Sequence, residues 1–186
     1  DEAQDYTPVQ YGILKQVFPG TRMTLLGDFN QVINPLKGPF RYEMITDILT
    51  PNSQAVLKMN KGYRSTSDIV HFTRSILKDG QQIDSIRRYG EKPRFYQAVG
   101  EKELTDTMVE DIRELIDDGM ESVGIICKTA EKSKRLYESI RKRLHASLLT
   151  RDDVNFSKGV IVLPVYLAKG LEFDAAVVFA VRGCRH

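Results

Sequence analysis

Cysteine is scarce in this sequence: Cys127 and Cys184 are the only two, and neither sits at a metal-ligand spacing from a partner. That excludes a disulfide scaffold and a cysteine-held zinc module, and it fits a reducing compartment. Long apolar runs are lacking as well. The longest, Ala175 to Val181, falls far short of the roughly 20 residues that a membrane-crossing helix needs. No secretory leader pattern is present, so a cytosolic location is the expectation. No internal repeat or low-complexity segment appears. No stretch reads G-x-x-x-x-G-K-[ST], which excludes a phosphate-cradling loop of that type within the chain. The first residue is Asp1 with no methionine before it, and a preceding segment is expected.

What is present suits a folded domain. Apolar residues make up 41% and charged residues 28% of 186, enough for a real core in one domain or one and a half. The net charge of +2 is the near-cancellation of 27 basic and 25 acidic residues, so composition neither demands nor excludes a nucleic-acid partner. The densest basic stretch, Lys132 to Arg143, reads as the solvated face of a helix ahead of a phosphate track.

Along the chain, short β-type runs alternate with helical patterns. "RMTLLGD" (Arg22 to Asp28), "AVLKMN" (Ala55 to Asn60) and "PRFYQAV" (Pro93 to Val99) are expected to be strands. So are "SVGIICK", "VIVLPVYLAKG" and "AAVVFAV". Between them, Ile69, Thr73, Ile76 and Leu77 share one helical face, with Ser65 or Ser67 as N-cap. Leu104, Met108, Ile112, Leu115 and Ile116 form a second helix, stopped at Asp118-Gly119. Leu136, Ile140, Leu144 and Leu148 mark the stripe of a third. Alternating strands and helices with continuous apolar strands predict an α/β fold, a parallel sheet flanked by helices on both faces. Ligands in such folds sit at the carboxyl ends of strands.

Four polar clusters stand out against this frame. "DEAQD" (Asp1 to Asp5) opens the chain, and "GDFNQ" follows an apolar run with Gly27, Asp28 and Gln31. "KGYRST" carries Arg64, and "LAKGLEFD" places Lys169-Gly170 at a turn beside Glu172 and Asp174. Phosphoryl transfer to water needs a carboxylate for magnesium, a second group to orient the water, and a cation for charge developing on the γ-phosphate. Asp1 and Glu2 suit the first two tasks, Gln31 a γ-phosphate sensor, and Arg64 either the cation or an ordinary helix-end residue. Taken singly, an Asp-Glu pair is also a common surface feature, and "LAKGLEFD" could be a charged connection.

In order, "DEAQD", "GDFNQ", "LKMNKGYRS" and "AKGLEFDAAVVF" resemble motifs II, III, IV and V of superfamily 1 helicases of the UvrD/Rep type. The resemblance covers nearly the whole chain and implies a RecA-like fold of the P-loop NTPase type. In that family two such domains clamp ATP between them while single-stranded nucleic acid crosses above. It implies that residues 1–45 are the tail of the first domain and 46–186 most of the second, with the boundary in 41–53. Asp1 then resembles the magnesium ligand, Glu2 the residue that positions water, Gln31 the link from γ-phosphate to domain movement, and Arg64 the arginine finger. Gly170 and Glu172 match the motif that approaches triphosphate and ribose, and Tyr166 and Lys169 fall where nucleic acid is contacted. ATP and magnesium are the implied cofactors, and DNA, single-stranded or at a duplex junction, the implied partner.

The resemblance also implies what lies elsewhere. The phosphate loop and the arginine-bearing motif VI are not within these residues, so the 186-residue chain alone is expected to show no ATPase activity. UvrD and Rep insert a large accessory domain between the positions of Arg64 and Lys169, and the elements expected here fill that interval. Pro164 and Tyr166 stand where UvrD-like sequences usually carry Thr and His. With the missing insertion, "LPVYLAKGLEFD" is similar to the branch that binds bacterial RNA polymerase and recycles it using ATP. Two alternatives to a DNA translocase therefore stay open: a remodeller of RNA polymerase, and a non-catalytic RecA-like binding module. Tyr63, Phe72, Phe95 and Tyr96 read as core ahead of base-stacking platforms, and His71 and His145 as ordinary helix residues.

Overall fold

The computed structural model describes residues 1–28, 31–32, 42–49, 55–76, 84–85, 89–151 and 158–180. The chain divides into two compact units, Asp1–Arg94 and Phe95–His186. The motif-based boundary in 41–53 falls inside the first of these and overlaps residues 50–54, which lie outside the described set.

In the first unit a 3-10 turn, Ala3–Asp5, leads to α1 (Pro8–Val17) and α2 (Tyr42–Leu49). Thr7 caps α1: its hydroxyl accepts from Gln10 N while Gln10 Oε1 accepts from Thr7 N, and Pro8 starts the helix where no amide is needed. The two helices pack together, and Tyr11 and Ile45 are buried. Further on, β1 (Lys61–Gly62) pairs in parallel with β2 (Asp84–Ser85), and α3 (Ser67–Ile76) lies between them in sequence.

The second unit holds α4 (Glu101–Asp117), β3 (Ser122–Cys127), α5 (Ala130–Leu144), β4 (Ser147–Leu148), β5 (Gly159–Pro164), α6 (Val165–Ala168) and β6 (Ala175–Phe179). Its four strands form an all-parallel sheet in the order β4-β5-β3-β6. Alternate residues of β3 and β5, Val123, Ile125, Cys127, Val160 and Val162, join Met108, Val109 and Ile112 of α4 and Leu136, Ile140 and Leu144 of α5 in one core. The opposite face takes Phe173, whose ring lies over Gly124. The central strands are buried almost throughout, which explains why "VIVLP" reads as a continuous apolar run. Edge strand β6 alternates instead, and Val178 is 75% exposed. The alternation of strands and helices predicts this parallel α/β arrangement, and it is consistent with the RecA-like fold that the resemblance implies.

Several local expectations are corrected. Residues 21–28, 55–60 and 91–98 carry no strand ladder. A strand persists only where a neighbour completes its hydrogen bonds, and among the described residues the first run has one backbone bond to a distant segment, Ala3 N to Leu26 O at 2.9 Å, besides local turn bonds at Thr21 and Asp28. The cap of α3 is Thr66, whose Oγ1 accepts from Ile69 N at 3.5 Å, in place of Ser65 or Ser67. Leu148 leaves the α5 stripe for β4, because the helix ends at Leu144 and His145 turns into the left-handed region at φ 48°. "VYLAKG" is helix α6 and a turn rather than more strand, since Pro164 has no amide to continue the ladder. Tyr63, Phe72, Phe95 and Tyr96 are exposed rather than core. The basic run of α5 is a solvated face, as expected: Arg141 pairs with Glu138, and Arg143 reaches Asp106 of α4 at 2.7 Å.

Candidate functional site

The acid cluster is built on a tight local fold. Glu2 adopts φ 56°, ψ 41°, a left-handed conformation that costs a side-chain-bearing residue about 1–3 kcal/mol and is held only where surroundings fix it. Three contacts fix it here. Glu2 N donates to Asp1 Oδ1 at 2.8 Å, Asp5 N donates to Glu2 O at 2.9 Å, and Gln4 Nε2 donates to Glu2 Oε2 at 2.5 Å. Below the turn, the buried Tyr11 hydroxyl donates to Ala3 O. Burial, with Tyr6 adjacent, pushes that phenol up to about 12.

Motif "GDFNQ" meets this cluster directly. Asp28 N donates to Gln4 Oε1 at 3.1 Å, and Gln31 Nε2 donates to Asp28 Oδ2 at 3.0 Å. Gln31 N also donates to Asp28 O, closing the short turn. A Cβ on Gly27 would stand 2.5 Å from Gln4 Oε1 and 3.0 Å from Ala3, so glycine is what admits this approach. The Tyr42 hydroxyl donates to Gly27 O, and burial followed by the nearby Asp28 charge raises its pKa. Asp1, Glu2 and Gln31 are thereby brought into one network. Arg64 is exposed in the bend between β1 and α3 of the same unit.

The remaining candidates belong to the second unit. Tyr166 lies in α6, just past the carboxyl end of β5, and the Arg151 guanidinium stands over its ring, 5.0 Å from the centroid. Lys169 and Gly170 make the turn after α6, where Gly170 takes φ 80° and Leu171 N donates to Ala168 O. Glu172 is exposed beyond it. Asp174, the second acid of that turn, serves the sheet: its Oδ2 accepts from Glu121 N, Ser122 N and Ser122 Oγ at 2.9–3.0 Å. Those hydrogen bonds, led by the Ser122 hydroxyl, hold its carboxyl below the ordinary value.

Sequence reading missed Gln4 and Arg151. The signal for Gln4 was an amide standing inside an acid cluster. For Arg151 there was none, since a cation over a ring is a tertiary contact.

Asp1 and Glu2, adjacent in sequence, carry hard oxygen donors, the kind magnesium takes one or two of while keeping waters and phosphate oxygens. Among the described residues no group of three or more His, Cys, Asp or Glu forms an all-protein metal cage. Such oxygen donors would suit magnesium shared with a phosphate.

Comparison with known proteins agrees at the level of fold. No protein-family model and no curated protein matches the chain. Among solved structures, it is similar to the C-terminal domain of a possible DNA helicase from Lactobacillus plantarum WCFS1, with 30% identity and a TM-score of 0.53. The match covers 62% of this chain and 66% of that one. The chain thus has a fold like that of a helicase C-terminal domain. No helix among the described residues is long and apolar enough to cross a membrane.

Proposed function

We propose that this chain is part of an ATP-driven superfamily 1 motor that moves on or unwinds DNA. The observation that carries the reading is the hydrogen-bonded union of the acid cluster with Gln31 through Gln4 and Asp28, two sequence-distant motifs meeting where nucleotide chemistry needs both. The likeness to a possible DNA helicase supports it. Asp1 would hold magnesium, which supplies charge neutralisation to the phosphates when bound. Glu2 orients the attacking water, Gln31 contacts the γ-phosphate, and Arg64 acts as the arginine finger. Gly170 and Glu172 approach the triphosphate and ribose, while Tyr166 and Lys169 meet nucleic acid.

Measuring ATP turnover of the complete protein with and without single-stranded DNA tests this. A translocase is strongly stimulated, and its DNA affinity falls steeply with salt as counterions are released. Turnover indifferent to DNA removes the translocase reading.

The second reading, an ATP-driven remodeller of RNA polymerase, rests on the sequence alone: on Pro164 and Tyr166 and on the short interval between Arg64 and Lys169. Co-purification with RNA polymerase together with DNA-independent ATPase activity would select it.

A further inference from the structure

We infer that Gln4 is a positioning residue for Glu2, and that its side-chain amide is the joint between the acid cluster and the Asp28–Gln31 turn. The inference rests on the ATPase reading above and assigns a role to a residue which that reading leaves unused.

Gln4 is 2% exposed, so both ends of its amide must be satisfied within the protein. Its orientation is settled by chemistry. Asp28 N is a donor, so the atom facing it at 3.1 Å has to be Oε1, and Nε2 is left pointing at Glu2 Oε2. Turning the amide over would set a donor against Asp28 N and an oxygen against a carboxylate. The contact therefore holds Glu2 in one rotamer.

Space confirms that the joint is specific. Gly27 lies so near Gln4 Oε1 that an added Cβ would come within 2.5 Å of it. Asp28 in turn takes Gln31 Nε2 on its own carboxylate at 3.0 Å. The path Glu2, Gln4, Asp28, Gln31 is continuous, and Gln4 is the sole side chain in it that is fully buried and uncharged. It aligns the group that orients water without touching the reacting atoms.

The test is a double-substitution cycle in the complete protein, read by single-turnover ATP hydrolysis so that slow rates are measurable. Gln4→Glu keeps an oxygen for Asp28 N but turns the other end from donor to acceptor, against the Glu2 carboxylate. It should lower kcat by about tenfold to a hundredfold with KM for ATP unchanged, the usual range for loss of an outer-shell partner. In a Glu2→Gln background the same change should cost nothing further, because the new carboxamide can donate where the carboxylate could not. Equal losses in both backgrounds, or an unchanged kcat, would overturn the inference. If Gln4→Glu does not fold, Gly27→Ala displaces the same amide without adding charge, and its loss should likewise vanish when Glu2 is Gln. Wild-type protein that hydrolyses no ATP removes the functional reading itself. ATPase activity abolished by Glu2→Gln but untouched by Gln4→Glu removes the inference alone.

Discussion

Phe173 lies so close to Gly124 that a Cβ built on the glycine would come within 2.7 Å of two of its ring atoms. The glycine sits in the middle of β3, where glycine ordinarily weakens a strand, so its use here reflects the ring and not the backbone. Gly124→Ala should destabilise the second unit by about 1–3 kcal/mol, the cost of forcing a methyl into filled space. Urea unfolding checks this, and a variant as stable as wild type would mean that the ring moves aside freely.

Asp174 gives the second unit a defined acid sensitivity. Its pKa is depressed in the folded chain, chiefly by Ser122, so the folded state favours the charged form. The stability it contributes is present above the ordinary carboxylate pKa and is lost as pH falls through the lower folded value. Asp174→Asn should lower Tm at pH 7, and the gap to wild type should close as pH drops below about 4. A gap that is the same at pH 7 and at low pH would show that shape and not charge holds the two strand starts together.

Arg151 and Tyr166 should act together on DNA if the translocase reading holds. Tyr166→Ala should weaken single-stranded DNA binding by about 1–3 kcal/mol through lost stacking. Arg151→Ala should instead lower the salt dependence by about one counterion. Anisotropy of a labelled oligothymidylate over a salt series separates the two, and unchanged affinity in both variants removes this surface from the DNA path.

Arg64 is tested by turnover. In the complete protein Arg64→Ala should reduce kcat by roughly a thousandfold or more if it is the finger. The 186-residue chain alone, which holds no phosphate loop, should hydrolyse no ATP. Robust, magnesium-dependent turnover by that chain would refute this expectation.

The parallel sheet of the second unit was legible because its strands are buried on both faces and its helices carry unbroken stripes. Ile125, Val162 and Ile140 announce burial by pattern alone. The first unit was less legible. Arg22 to Asp28 has the composition of a strand, but a strand is a relation between segments, and composition does not supply the neighbour. The same holds for Tyr63 and Phe95, which have the chemistry of core residues and lie exposed. Pro164 was visible, yet its consequence, a helical turn where more strand was expected, depended on how the chain crosses the sheet to reach Ala175.

Of the candidate site, the residue types and their order were readable from sequence: acids at 1–2, an acid and an amide at 28 and 31, an arginine at 64, a glycine turn at 170. Those follow from local chemistry, because a carboxylate is a ligand and a glycine a sharp turn wherever they stand. Only the tertiary structure decided that Gln4 faces inward and joins Glu2 to Asp28, that Asp174 pins the sheet, and that Arg151 covers Tyr166. Hydrogen bonds and ring contacts between distant segments depend on distances of a few ångströms, which linear spacing does not encode.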